Sequence, residues 1–383
     1  MKKIYWRPRS VSRTALVLIG VISVIGLVMV ERLKVFGDRP FYQEKTIAAQ
    51  MAEDAMEKIR AQRVLVGPPI DSATDIAQSG LLGLPNSVVT SVHGEISAKQ
   101  TSINPNFAGA VVEMLKNAGV QRGDVVALGV SGSFPALNAC TYAAIETLGL
   151  EPVVIASASA SEWGANVPDL LWIDMERVLF DAGIFKTRSI AASLGGFDDN
   201  GGGLSEEGKK VVREAIKENG LRLLETPSFT ESVTDRIDIY REAARGRPIT
   251  CYINVGGGTV SVGTSVGKKL FSPGLNRRPP GLLGDIDGVM PRMINQGVPC
   301  IHLINIITLA ELYGLPIAPA SMPEVGVGDV FRGYDYDKKK VIALLALILA
   351  SLYGFIRSDI GFRLLRAPAA GKKRGSGHPE PMV

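Results

Sequence analysis

The sequence predicts an α/β fold, a mostly parallel sheet with helices on both faces in a Rossmann-like three-layer arrangement, together with an N-terminal and a C-terminal transmembrane helix. Three observations carry this. Short apolar runs alternate with longer segments of helical period through residues 105–314. One strand, loop, helix and strand follow each other within about 30 residues, which is a βαβ unit with parallel strands. Two uncharged apolar runs lie near the ends, each backed by basic side chains.

The first run is 15–30, Ala-Leu-Val-Leu-Ile-Gly-Val-Ile-Ser-Val-Ile-Gly-Leu-Val-Met-Val, 16 residues without a charge. It is a little short of the roughly 20 residues usual for a span, and the stems of Arg13 and Arg32 can extend it by snorkelling. Glu31-Arg32-Leu33-Lys34 follows, a poor cleavage site, which favours an uncleaved signal anchor over a cleaved signal peptide. Residues 42–63 carry Ile47, Met51, Met56 and Ile59 at helical spacing among charged neighbours, consistent with a stalk helix. Residues 105–119 read as a helix stopped by Gly119, 125–130 as a buried strand, 135–148 as a helix ended by Gly149, and 152–156 as a second buried strand. Further on, 206–219 and 232–244 read as helices, the second opened by Ser232. Residues 221–224, 250–255 and 259–264 read as strands, and 285–314 supplies helix, strand at 300–304, and helix. The second uncharged run is 341–356, preceded by Lys338–Lys340 and followed by Arg357.

These elements divide the chain into a cytoplasmic tail and anchor (1–31), a stalk (32–63), a first lobe (64–200), a second lobe (201–335), a second span (341–357) and a basic cytoplasmic tail (358–383). The glycine-rich stretch 195–203 marks the boundary between lobes. The tails hold +5 (residues 1–14) and +4 (residues 357–383) of a net charge of +4, leaving −5 on the section between them. A nucleic-acid binder carries its positive charge on the folded domain, so nucleic acid is not the expected partner. With both basic tails inside, the positive-inside rule places the large domain on the extracytoplasmic side of the inner membrane. The three cysteines each sit in an apolar stretch and cannot all pair with one another, so buried thiols are the expectation.

Three segments are candidate sites. Gly129-Val130-Ser131-Gly132-Ser133-Phe134-Pro135 hands a buried strand over to a helix, the edge where open parallel sheets bind ligands. Amides at a helix start can hold an anion, the hydroxyls of Ser131 and Ser133 can donate, and Asn138 lies one turn further on. The same stretch nearly matches the Gly-x-Ser-x-Gly nucleophile elbow. Of the three histidines, His93 in a polar loop is the one available as a base, with Asp174 as a third member, although His93 upstream of the serine is not the hydrolase order. The second segment, Asn254-Val255-Gly256-Gly257-Gly258-Thr259-Val260-Ser261-Val262-Gly263, resembles the phosphate-binding hairpin of actin-like ATPases and sugar kinases, with Asn254 where those families carry Asp. A plain glycine-rich hairpin explains it equally. The third, Ser159-Ala160-Ser161-Glu162-Trp163-Gly164-Ala165-Asn166, follows the second strand of the βαβ unit and can wall the same site with Trp163 and Asn166. Lys99 and Lys268-Lys269 are the nearest cations for a negative ligand. No Cys/His cluster has metal-ligand spacing, and Asp198-Asp199 and Asp285-x-Asp287 are at most weak oxygen donors. The sequence leaves the cofactor unknown.

Taken in order, Lys99-Gln-Thr-Ser-Ile-Asn-Pro-Asn-Phe107, Ser131-Gly-Ser-Phe-Pro-Ala-Leu-Asn138, Ser161-Glu-Trp-Gly-Ala-Asn166 with Trp172-Ile-Asp174, and Asn254-Val-Gly-Gly-Gly258 resemble the poly-γ-glutamate system protein family over almost the whole chain. The resemblance implies an accessory component in the biosynthesis or export of this capsule-type polymer. Its partners would be the membrane subunits of the poly-γ-glutamate synthase and exporter, the membrane, and the γ-glutamyl polymer or its precursor. It assigns no reaction. Two alternatives stand beside it: a serine-dependent hydrolase or transferase acting on γ-glutamyl amide chains, and a cytoplasmic phosphate-binding domain of the sugar-phosphate isomerase (SIS) type.

Overall fold

The computed structural model describes residues 13–281, 283–284 and 286–358. Residues 359–383 of the basic tail, residues 1–12 of the first tail, and Asp285 lie outside them. The chain divides into two compact units. One comprises Met1–Gly37 with Tyr334–Val383, the other Asp38–Gly333.

In the first unit, α1 (Arg13–Arg32) packs along a helix near the C-terminus, Lys338–Ser358, with Gly26 leaving room for the Leu344 side chain. Among the described residues no helix is long and apolar enough to cross a membrane. This corrects the two transmembrane helices expected at 15–30 and 341–357. At about 1.5 Å per residue an uncharged run of 16 residues covers about 24 Å, less than the roughly 30 Å of a hydrocarbon core. The extracytoplasmic placement expected from the positive-inside rule depended on those spans.

The second unit is one α/β body, and its elements run α2 (Tyr42–Val66), β1 (Thr90–Val92), α3 (Ile96–Ser102), α4 (Phe107–Ala118), β2 (Val125–Ser131), α5 (Pro135–Leu148), β3 (Glu151–Ser157), β4 (Ala160–Ser161), α6 (Trp172–Asp181), β5 (Ser189–Ser193), α7 (Glu206–Glu218), β6 (Arg222–Leu224), α8 (Phe229–Ala244), β7 (Ile249–Val255), α9 (Thr259–Val262), α10 (Thr264–Leu270), β8 (Gly274–Asn276), α11 (Val289–Asn295), β9 (Cys300–Leu303) and α12 (Ile306–Leu312). Seven strands form one sheet in the order β6-β5-β3-β2-β7-β9-β8. All are parallel to their neighbours except β8, which runs antiparallel at the edge. The sheet takes strands from both sides of residue 200, so the two expected lobes share one core.

Alternation along the strands builds three layers. On β2, Val126, Leu128 and Val130 join the cluster that holds the buried side chains of α2, α4 and α5, while Val125 and Ala127 face the cluster of α8 and α11. Tyr252 and Cys300 point the same way as Val125, and Cys251, Ile253 and Ile301 the other. Both faces are covered, which is why these strands read as unbroken apolar runs.

The segment read as a stalk is core. α2 buries Ala48, Ala49, Ala52, Ala55, Met56 and Ile59, and its alanines let α4 and α5 approach closely. A larger side chain there would cost about 1–3 kcal/mol by overpacking. The serine cap also moves: α8 starts at Phe229 with Ser228, not Ser232, accepting from the Glu231 amide. Residues 259–262 are helix rather than strand, so the Gly256–Gly258 segment is a strand-to-helix turn and not an actin-like hairpin.

Candidate functional site

The order of strands reverses between β2 and β7. β2 is followed outward on one side by β3, β5 and β6, and the chain returns to the other side with β7. A crevice opens at the carboxyl ends of strands flanking such a switch point. Here it is a cavity of ≈ 620 Å³, within the size range of sites for small ligands. The turn after β2 lines it with Ser131, Ser133 and Phe134, and the turn after β7 with Gly257, Gly258 and Thr259.

Register sets much of the wall. Ser131 lies opposite Ser157 on β3, and Ser157 opposite Ser193 on β5, which places three hydroxyls in a row along the sheet's carboxyl edge. Behind this row Asp199 accepts from Ser193 Oγ at 2.6 Å, Ser232 Oγ at 2.9 Å and Arg236 Nη2 at 2.6 Å. The guanidinium is fully buried, and Asp199 raises its pKa against the effect of burial. Asp199 is thus an ion-pair anchor at the cavity edge and not a metal ligand. Among the described residues no group of three or more His, Cys, Asp or Glu could hold a metal.

The two turns touch each other. Ser131 Oγ donates to the carbonyl of Val255 at 3.3 Å. Gly256 sits at φ +95°, and a Cβ there would stand 2.6 Å from Ser131 Oγ, so only glycine lets the strands close in this way. Gly132 is similarly confined. Its amide donates to Ser157 O at 3.1 Å and a Cβ would meet Ser159 O at 3.0 Å. Gly257 has a different neighbour, the Lys268 side chain, whose Nζ lies 3.1 Å from the position of a Cβ. Burial lowers the Lys268 pKa, and Lys268 faces the cavity. The Thr259 hydroxyl, also on the wall, is buried without a hydrogen-bond partner.

Lys99 enters from α3. It is 2% exposed. Its Nζ donates to the Ser133 carbonyl, lies 2.7 Å from Ser161 Oγ, and stands 4.1 Å from the centre of the Phe134 ring. Loss of hydration brings its pKa down to about 7, with Glu162 acting in the opposite direction. Ser161 also lines the cavity, and its amide donates to Ser133 Oγ at 3.1 Å.

Of the residues singled out in the sequence, Ser131, Ser133, His93, Lys99, Gly257 and Gly258 share this wall. His93 lies at the rim with its side chain 98% exposed, 3.0 Å from Glu162. It pairs with that carboxylate rather than with a serine. The Glu162 carboxylate also accepts from the Gly94 amide, which holds its pKa below the usual range. Gly132, Gly256, Asn138, Asn166 and Asn254 frame the site from behind. Asn138 donates to the Ser131 carbonyl at 2.8 Å. Asn254 donates to Gly256 O at 2.6 Å and to His302 Nδ1 at 3.0 Å, and His302, buried in the sheet, has its pKa pulled down to about 4 by desolvation. Asn166 clamps the segment before β1 through three bonds to Leu84 and Thr90. Trp163, at φ +55°, ties in through its backbone to Leu84 and is not on the wall. Asp174 is elsewhere: it accepts from the Leu171 amide and from Asn219 at the start of α6, so the His93–Asp174–serine set is not assembled.

Phe134 and Thr259 fall within the candidate segments, whereas Ser157 and the segment 304–308 line the wall without having been singled out in the sequence. The alternation Ser157-x-Ser159-x-Ser161 past the end of a strand was the available signal for Ser157. The chain matches no protein-family model, no curated protein and no solved structure.

Proposed function

We propose that the α/β body is a binding module for a carboxylate-bearing γ-glutamyl ligand, serving as an accessory component in poly-γ-glutamate biosynthesis or export. The observation that carries the reading is the convergence at one switch-point cavity of the Ser131–Phe134 turn, the Gly256–Thr259 turn and Lys268. With Pro135 lacking an N–H and the Asn138 amide bonded to Phe134 O, the Ala136 and Leu137 amides are the ones in the first turn of α5 without an intrahelical acceptor, and they favour negative charge. Serine hydroxyls and the unpartnered Thr259 hydroxyl add neutral donors, and Lys268 supplies the counter-charge. Support for the γ-glutamyl identity comes from the family resemblance. Of the segments that carry it, Lys99–Phe107, Ser131–Asn138, Ser161–Asn166 and Asn254–Gly258 contribute to this wall or to the residues directly behind it, while Trp172–Asp174 lies at the start of α6 away from it. Because the section between the tails has net charge −5, a polyanion is held locally rather than by the field of the whole body.

Calorimetric titration of the full chain with a γ-linked glutamate oligomer tests this, with an α-linked oligomer of equal charge and inorganic phosphate as comparisons. Saturable binding of the γ-linked oligomer is expected, weakened about tenfold by Lys268→Met, the loss of one charge-assisted hydrogen bond. Absence of binding, or equal binding by the Lys268→Met variant, contradicts the proposal. Preference for phosphate would point to the phosphate-ligand alternative instead.

A further inference from the structure

We infer that Ser161 and Lys99 form a nucleophile–base dyad at the floor of this cavity, able to cleave or transfer a γ-glutamyl amide by way of an acyl-serine. The inference rests on the γ-glutamyl reading of the site for its substrate and on geometry for its chemistry. A serine hydroxyl is a weak nucleophile and needs an adjacent base. Histidine does not provide one here, since His93 pairs with Glu162 at the rim and His302 is held within the sheet by Asn254. Lys99 Nζ, in contrast, is 2.7 Å from Ser161 Oγ. Serine–lysine pairs are a known variant of the triad logic.

Three features orient the pair. A neutral amine has two hydrogens and one lone pair. The Ser133 carbonyl takes one hydrogen and the Phe134 ring face covers the nitrogen at 4.1 Å, so the lone pair is left for the Ser161 hydroxyl, which then donates to it. Burial of the amine supports the neutral form, consistent with its pKa near 7. Ser161 is held by its amide bond to Ser133 Oγ, and that hydroxyl keeps its own hydrogen for the oxygen of a carbonyl bound in the cavity. Ser131 is differently occupied, donating to Val255 O.

The step balances within the chain and its substrate. Ser161 Oγ adds to the amide carbonyl carbon as its proton passes to Lys99 Nζ. The tetrahedral oxyanion collapses, the C–N bond breaks, and the leaving amine takes the proton back from Lys99. Water, or the amine of another chain, then adds to the ester. Its proton goes to Lys99 and is returned to Ser161 Oγ as the ester bond breaks. Water gives hydrolysis, and an amine gives transfer.

The test is labelling of the full chain with a fluorophosphonate, in which serine displaces fluoride from phosphorus. Intact mass and peptide mapping should find one adduct, on Ser161, formed at least about 100-fold more slowly in Lys99→Met, the range of a lost general base. Thermal unfolding of the Lys99→Met and Ser161→Ala variants shows whether each is folded, and the wild-type labelling result needs neither variant. In parallel, turnover of the γ-linked oligomer is read from newly released amines and should vanish in Ser161→Ala while oligomer binding persists. No adduct at Ser161, an adduct on Ser131 or Ser133 instead, or labelling indifferent to Lys99→Met overturns the dyad. Oligomer binding without Ser161 labelling overturns the dyad and leaves the binding reading intact. Labelling without oligomer binding supports the dyad and removes the γ-glutamyl substrate.

Discussion

Replacing Lys99 with methionine keeps much of the stem and deletes the buried charge. Lys99 is 2% exposed, and burial brings its pKa from the ordinary 10.5 down to about 7, only partly offset by Glu162. A fall of that size corresponds to about 5 kcal/mol of preference for the neutral over the charged form. Below pH 7 the folded and unfolded chains both carry the proton, and the folded state bears the whole cost. Between about 7 and 10.5 the unfolded chain still holds a proton that the folded chain has released, so wild-type stability rises by up to about 1.4 kcal/mol per pH unit. The Lys99→Met variant lacks this contribution, and the other titrating groups are common to both chains. The stability of wild type minus that of the variant should therefore grow by about 2 kcal/mol from pH 7.5 to pH 9. Urea unfolding in matched buffers measures it, with equal m-values as the check that unfolding is comparable. A difference that stays flat with pH refutes the claim that the Lys99 charge is held out of water.

Further perturbations address the frame of the cavity. Asp199→Ala leaves the buried Arg236 guanidinium without its carboxylate and should cost about 3–5 kcal/mol in chemical denaturation. Gly256→Ala places a methyl group 2.6 Å from Ser131 Oγ at φ +95°. It should cost about 1–3 kcal/mol and weaken oligomer binding in calorimetry, whereas Gly246→Ala, also at positive φ but with nothing near its Cβ, should leave binding alone. Asn166→Ala removes three buried hydrogen bonds to Leu84 and Thr90 and should lower stability by about 3 kcal/mol, with faster amide exchange in residues 84–92.

Much of the sheet was legible because its strands are buried on both faces. Residues 125–130, 152–156 and 250–255 read as buried strands, and the strands Val125–Ser131, Glu151–Ser157 and Ile249–Val255 form the centre of the sheet. Other elements carried weaker signals. β5 holds only five residues, two of them serine, and its pairing with β3 is decided by tertiary contact. α2 looked like a stalk because its buried stripe is mostly alanine, which periodicity arguments weigh lightly, while Lys45 and Arg63 on the same helix are buried as well. Lys45 reaches Glu113 and the Val330 carbonyl, partners no local pattern announces. The Gly256–Gly258 turn was seen, but glycine permits both hairpin and strand-to-helix geometry, and the helix at Thr259–Val262 follows from packing.

For the site, the turn at Ser131–Ser133 and the cation at Lys99 were legible from strand-to-helix position and charge. Ser161, the nucleophile of the proposed dyad, stood in the sequence only as part of a wall segment. Ser161 lies on a two-residue strand paired with Thr90–Val92, and only that pairing brings it under Lys99. Asp174 and His93 were chosen by residue type, and the fold uses one as a helix cap and the other as a rim partner of Glu162.

A structure of the full chain with a γ-linked glutamate oligomer bound tests the central claim most directly. The account predicts a ligand carboxylate between the Ser131–Phe134 and Gly256–Thr259 turns within reach of Lys268, and an amide carbonyl facing Ser161. An oligomer seated away from this cavity, with the cavity itself unchanged, would contradict it.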